Sequence, residues 1–244
     1  MPGGLGGHFG APHVLEVRLF LFDIDGTLIT ARGAGRSALQ QALVQTYGTA
    51  GDIDDYDFRG KTDPRIVFDL MRGAGVADDA IEAGLSACFD AYAIQLDRQI
   101  GDGSRVIVLP GIADVVRALS ARGDALVGLL TGNIEAGARV KLRSTGLFPL
   151  FRVGAFGSDS MDRRQLPAIA CARARRVTGS DFPFERVTII GDTPLDVDCA
   201  RACGAVAVAV ATGFHPHAEL AACAPDLLFT DFSDVPAALA ALTR

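Results

Sequence analysis

Short unbroken apolar runs alternate along this chain with longer stretches in which apolar residues recur at helical spacing. The first run, within Leu19–Thr30 (LFLFDIDGTLIT), is almost wholly apolar up to Phe22 and breaks abruptly at Asp23. That is the pattern of a strand buried on both faces. Ala38, Leu39, Ala42, Leu43 and Tyr47 then predict a helix over 37–47 that closes at Gly48. Thr62-Asp63-Pro64 is a helix start, a capping side chain followed by a proline in the first turn, and Ile66, Val67, Leu70 and Met71 form its apolar stripe. A third helix is expected from near Asp78 through Ile81, Leu85, Phe89, Tyr92 and Leu96. Between Gly33 and Gly103 no stretch reads as a buried strand, so this part is expected to be a helical insertion.

From Val106 onward strand and helix patterns alternate, the mark of a parallel α/β sheet. Pro110-Gly111 opens a helix; Ala125 to Leu130 is a strand ending in Thr131-Gly132-Asn133, with a helix running on to about Thr145. Phe151 to Ala155, Val187 to Ile190, Ala205 to Val210 and Leu227 to Phe229 are the further expected strands. Helices are expected over 166–177 and 194–202.

Three of these strands end in polar signatures, and a doubly wound sheet brings such ends to one edge. The first supplies Asp23 and Asp25, two apart and able to address one site; the second supplies Thr131 and Asn133; the fourth supplies Asp192, with Asp196 one helical turn on. Gly26 permits a sharp turn whose N–H groups can face an anion. Acidic residues also end strands as plain turn formers, and Thr131 and Asn133 are also good helix caps. What sets the pattern apart is its repetition. Four carboxylates at one place repel unless a cation sits among them, and an all-oxygen ligand set favours Mg2+. A magnesium ion, a poised carboxylate, turn amides and a basic group are the equipment of phosphoryl transfer. Asp23 could attack phosphorus and form an aspartyl-phosphate, while Asp25 could protonate the leaving alkoxide and then activate water.

Composition narrows the partners. The 244 residues are 49% hydrophobic, enough for a substantial core. A net charge of -6 argues against nucleic acid, and there is neither a polybasic anchor nor an apolar run long enough for a membrane span. Residues 1–16 are glycine-rich and read as a flexible leader rather than a secretory signal. Five scattered cysteines without a CxxC pair imply reduced packing residues and a cytoplasmic setting.

With FDIDGTL (Phe22 to Leu28), LLTGN (Leu129 to Asn133) and IIGDTPLDV (Ile189 to Val197) in this order, the chain resembles the haloacid dehalogenase superfamily. The likeness is to its phosphatase branch, near phosphoglycolate phosphatase and β-phosphoglucomutase, and it covers nearly everything from Arg18 to Leu242. It implies a Rossmann-like parallel core, residues 17–32 and 104–244, with an inserted helical cap over 33–103. It implies Asp23 as nucleophile, Asp25 as acid/base and Thr131 as a phosphate ligand, with Gly26, Thr27, Gly132 and Asn133 as the turn residues about the substrate. Magnesium would be held by the Asp23 carboxylate, the Asp25 carbonyl and Asp192, with Asp196 behind them. The family's third motif is a lysine, and this chain's two lysines, Lys61 and Lys141, lie elsewhere. Asp162-Arg163-Arg164 stands in its place, so Arg163 is the expected substitute, with Arg164 the fallback. Arg59-Gly60-Lys61-Thr62-Asp63 resembles the loop by which such caps reach the site, which makes Lys61 and Arg59 candidates for binding the organic part of the substrate. His215 and His217 follow the fifth strand, and His215 could approach the edge of the site, though both read first as ordinary residues without a role.

The expected activity is magnesium-dependent hydrolysis of a small, phosphoglycolate-like phosphate monoester by a monomer or homodimer. A sugar-phosphate mutase uses the same two aspartates, and a non-catalytic phospholigand-binding protein is the reading from another class. The intact acidic set argues against the latter, because binding alone gains nothing from a leaving-group acid.

Overall fold

A computed structural model describes residues 17–244, so the expected leader over 1–16 lies outside the described residues. In chain order the elements are β1 (Arg18–Phe22), β2 (Ile29–Thr30), α1 (Ala34–Tyr47), α2 (Asp63–Gly73), α3 (Asp78–Ile100), β3 (Ile107–Val108), α4 (Ile112–Ser120) and β4 (Ala125–Thr131). There follow α5 (Glu135–Leu142), β5 (Val153–Phe156), α6 (Leu166–Thr178), β6 (Val187–Gly191), α7 (Pro194–Cys203), β7 (Val206–Val210), α8 (His217–Ala222), β8 (Leu227–Phe229) and α9 (Val235–Leu242).

Six strands form one parallel sheet in the order β5-β4-β1-β6-β7-β8. The chain leaves β1, builds outward through β4 and β5, then returns to the other side of β1 with β6. That reversal is the switch point at which open α/β sheets form a crevice. Because side chains alternate across a strand, Phe20 and Phe22 pack on one face with Val127, Leu129 and helices α4 and α9. Leu19 and Leu21 pack on the other with Leu126, Leu130 and helices α6 and α7.

Helices α1, α2 and α3 share a third apolar cluster, built on Leu39, Leu43, Val67, Met71, Ile81, Tyr92 and Leu96, to which the sheet side adds Ile134. The stretches joining this layer to the sheet pair as a two-residue antiparallel ribbon, β2 with β3, which the sequence pattern did not announce. At the start of α1, Arg32 (φ 46) and Gly33 (φ 80) both take left-handed backbone, so the helix begins at Ala34 rather than Ser37. Thr62 caps α2 as its sequence suggested, accepting from the Arg65 N–H, with Pro64 in the first turn. Strand β5 starts two residues later than expected because Pro149 sits in a 3-10 turn, Phe148–Leu150, leaving Phe151 to pack against Phe22. Among the described residues no helix is long and apolar enough to cross a membrane.

Candidate active site

The parallel register delivers the site residues to one edge. Phe22 lies opposite Leu129 on one side and Ile190 on the other, so Asp23, one residue on, and Thr131 and Asp192, two residues on, emerge at the same edge. Asp23, Asp192 and Asp196 each offer a carboxylate oxygen within 4.8 Å of the others, and all three are buried. Burial and the neighbouring carboxylates lift Asp192 well above the usual range, and burial, partly offset by Arg163, lifts Asp23 to about 6. A bound dication would remove this strain, and the all-oxygen donor set fits a hard cation.

Asp196 does a second job. Its Oδ2 accepts from the Thr193 N–H and hydroxyl at 3.0 and 2.7 Å, closing a capping box on α7, and its Oδ1 accepts from Arg163. Arg163 lies in the 3-10 turn before α6, almost fully buried, with Nη2 3.4 Å from Asp23 Oδ2. Burial works against its charge, but Asp196 and Asp23 outweigh this and hold its pKa above the usual value. Its Nε has no hydrogen-bond partner among the described residues. Arg164 instead points outward and pairs with Asp198 at 2.8 Å, so of the two arginines only Arg163 reaches the acidic edge.

Asp25 stands apart from the three clustered carboxylates. Its Oδ2 accepts from Lys141 Nζ at 2.6 Å and from Asn133 Nδ2 at 2.8 Å, while Lys141 also donates to Asn133 Oδ1 at 2.6 Å. Asn133 Nδ2 further donates to Thr131 Oγ1 at 2.8 Å, leaving the Thr131 hydroxyl proton free for an acceptor. Lys141 is a site residue that motif reading passed over. The available signal was its place on the buried face of α5, in line with Gly137 and Ala138, where a lysine needs an anionic partner.

The turns are equally constrained. Gly26 has φ 82, and a Cβ there would collide with the Asp192 carboxylate, as would one on Gly213. Thr212, in the same loop after β7, donates to Gly26 O at 2.6 Å; this buttress also went unread in the sequence. Thr27, expected near the substrate, is fully buried outside the cavity lining, and its hydroxyl donates to Asp192 Oδ1 at 3.1 Å.

These groups open into a cavity of about 950 Å3 whose opposite wall comes from the helical layer. Arg59 and Lys61 both line it. Arg59 is spent on a two-pronged bond to Asp57, at 2.7 and 2.9 Å, whereas the Lys61 ammonium lies over the Tyr56 ring at 4.0 Å and makes no salt bridge among the described residues. Phe214, 84% exposed, stands on the same lining, and His215 bonds Glu219 at 2.9 Å, away from the acidic cluster.

The profile of a family described as haloacid dehalogenase-like hydrolase matches residues 17–204. A phosphoglycolate phosphatase of Synechococcus elongatus is 30% identical over 93% of this chain and all of its own length. One from Cereibacter sphaeroides is 28% identical over 88% of this chain and 94% of its own. Among solved structures, CbbY from Rhodobacter sphaeroides in complex with phosphate superposes with a TM-score of 0.68 at 19% identity, covering 90% of this chain and 96% of that one. A hydrolase from Pseudomonas syringae gives 0.65 at 21% identity, over 89% and 95%.

Proposed function

The chain belongs to the haloacid dehalogenase-like hydrolase family and is a phosphatase; we propose that it hydrolyses a small phosphate monoester with magnesium, through an aspartyl-phosphate on Asp23. The observation that carries this reading is the buried triad Asp23, Asp192 and Asp196 at the crevice of a parallel sheet, with one arginine, Arg163, set into it.

The donor set suits Mg2+ held by the Asp23 carboxylate, the Asp25 main-chain carbonyl and Asp192, with Asp196 behind them. When bound, the ion supplies positive charge against the phosphoryl oxygens and keeps Asp23 ionised. The protein does the rest. The phosphoryl group sits between Asp23, the Thr131 hydroxyl and the Gly132 N–H, while the N–H groups of Gly26 and Thr27 are spent inside their own turn. Arg163, with its unpartnered Nε, adds a fixed positive charge where negative charge builds up. Asp23 attacks phosphorus as the ester oxygen leaves, and Asp25 gives that oxygen a proton. Asp25 then takes a proton from the water that cleaves the aspartyl-phosphate. Residues 33–103 act as a cap that covers the cavity and excludes bulk water. Lys61, a cap cation with no salt bridge among the described residues, meets an anionic group on the organic part, and a two-carbon carboxylate ester such as phosphoglycolate is the first substrate to try.

The test is phosphate release from a panel of phosphate esters, in magnesium and in chelator. Release that needs magnesium and favours carboxylated esters supports the reading. Isomerisation of a sugar phosphate that requires a sugar bisphosphate primer, in place of phosphate release, would replace it with a mutase, and neither release nor isomerisation with any ester would overturn it.

A further inference from the structure

The loop that follows β4 carries Thr131 and Asn133, and two of its peptide planes are held from the opposite side of the cavity by one residue. The Asp63 N–H, in the first turn of α2, donates to Gly132 O at 2.7 Å. The Ile134 N–H donates to Asp63 Oδ2 at 2.8 Å. In a trans peptide the C=O and N–H point in opposite directions. Drawing Gly132 O out toward α2 therefore turns the Asn133 N–H inward, where it meets Thr131 Oγ1 at 3.3 Å. The next plane is gripped at both ends: Asn133 O accepts from Gly157 N at 2.8 Å, and the Ile134 N–H is taken by Asp63.

The fit leaves no slack. A Cβ on Gly132 would collide with Lys61 O, and one on Gly157 would collide with Gly132 O. Two further bonds close the same seam: the Thr62 hydroxyl donates to Met161 O at 2.8 Å, and Arg163 Nη1 donates to Gly60 O at 3.2 Å. The segment 60–63 thus touches the loops that bear Thr131, Asn133 and Arg163. Helix capping of α2 falls to Thr62, so the Asp63 carboxylate is not needed to start that helix.

We propose that Asp63 is a positioning residue of the phosphate site: reaching from the helical layer, it fixes the two peptide planes on either side of Asn133 and so holds in place the loop whose Thr131 hydroxyl and Gly132 N–H meet the phosphoryl group. This rests on the phosphatase reading above and adds that closure of the helical layer completes the phosphate site as well as covering it. Burial, partly offset by Lys141 and by the Ile134 N–H, lifts the Asp63 carboxyl to about 6, so the clasp holds a group that would be better solvated outside.

The experiment is titration of inorganic phosphate, with magnesium present, into wild type, Asp63→Ala and Asp63→Asn. Alongside it, kcat/KM is measured for 4-nitrophenyl phosphate and for the best ester of the panel. Asp63→Ala is expected to weaken phosphate binding about tenfold and to lower kcat/KM by a similar factor for both esters, whatever their organic part. Asp63→Asn, whose amide oxygen can still accept the Ile134 N–H, is expected to stay within about threefold of wild type. Because coupling is reciprocal, phosphate must also slow hydrogen exchange at the Asp63 and Ile134 amides of the wild type, a reading that needs no variant to fold. Unchanged phosphate affinity in Asp63→Ala, a loss confined to one ester, or amides indifferent to phosphate would each overturn the proposal. If the wild type releases no phosphate from any ester, the phosphatase reading falls separately, and the phosphate titration still judges the clasp.

Discussion

On the sheet side of the cavity Asp23, Asp192, Asp196 and Arg163 are each more than nine-tenths buried and are tied to one another or to the adjoining turns. On the helical side Arg59 is exposed, Lys61 is half-buried, and both lean on neighbours from their own loop. Charges fixed in a dry site act on the reacting atoms without reorganising, which is where large catalytic effects arise. Charges in solvent are screened and mobile, and they adjust affinity by small factors. The two walls should therefore answer mutation on different scales.

The largest separation is expected between the two adjacent arginines. Arg163→Ala should lower kcat about a hundredfold or more, as loss of a preorganised charge does, while Arg164→Ala, an exposed partner of Asp198, should stay within about twofold. Steady-state rates for both variants check this, and equal losses would erase the contrast between buried and exposed charge.

The contrast is weaker within the helical wall. Lys61→Ala should raise KM about three- to tenfold for esters with an anionic organic part and leave neutral esters near wild type. Arg59→Ala should change either by less than about twofold, because Asp57 already occupies its guanidinium. Rates on glycolate-type and alkyl esters decide this, and the reverse ranking would move the anion contact to Arg59.

A further expected effect, read on a different scale, is on stability. Asp23 and Asp63 are both lifted to about 6 from an ordinary value near 3.8, so between these values the folded chain binds protons that the unfolded chain has released. Their contribution is complete below about 4 and is lost as pH rises through 6. Without metal, these two groups alone should then add about 1–3 kcal/mol of stability as pH falls from 7 to 5, and Asp192, lifted further, adds in the same direction. With magnesium, Asp23 and Asp192 are held ionised and their shares should vanish, leaving that of Asp63. Denaturant unfolding across this range, with and without magnesium, separates the two walls.

The same division explains what could be read from the sequence. Asp23 and Asp192 stand directly after buried strands and Thr131 ends one, so a linear pattern of apolar runs was enough to gather them at one edge. Arg163 was found by the place a basic group should occupy, and its geometry then set it apart from Arg164. Lys141 was missed because its role depends on α5 packing back against Asn133 and Asp25, which no local pattern shows. Asp63 looked like an ordinary first-turn residue, since its partners at Gly132 and Ile134 come from a distant loop. The Thr212–Gly213 buttress and helices α8 and α9 escaped for a related reason, being short pieces whose register is set by the sheet they cover.

The central claim is that Asp23 receives the phosphoryl group at the edge where the three carboxylates meet. Acid-quenching the enzyme during turnover with magnesium, followed by peptide mass analysis, tests it directly. The account predicts a phosphorylated peptide that contains Asp23 in the wild type, with neither label nor turnover in Asp23→Asn. Full turnover with no labelled peptide, or substantial turnover in Asp23→Asn, would contradict it.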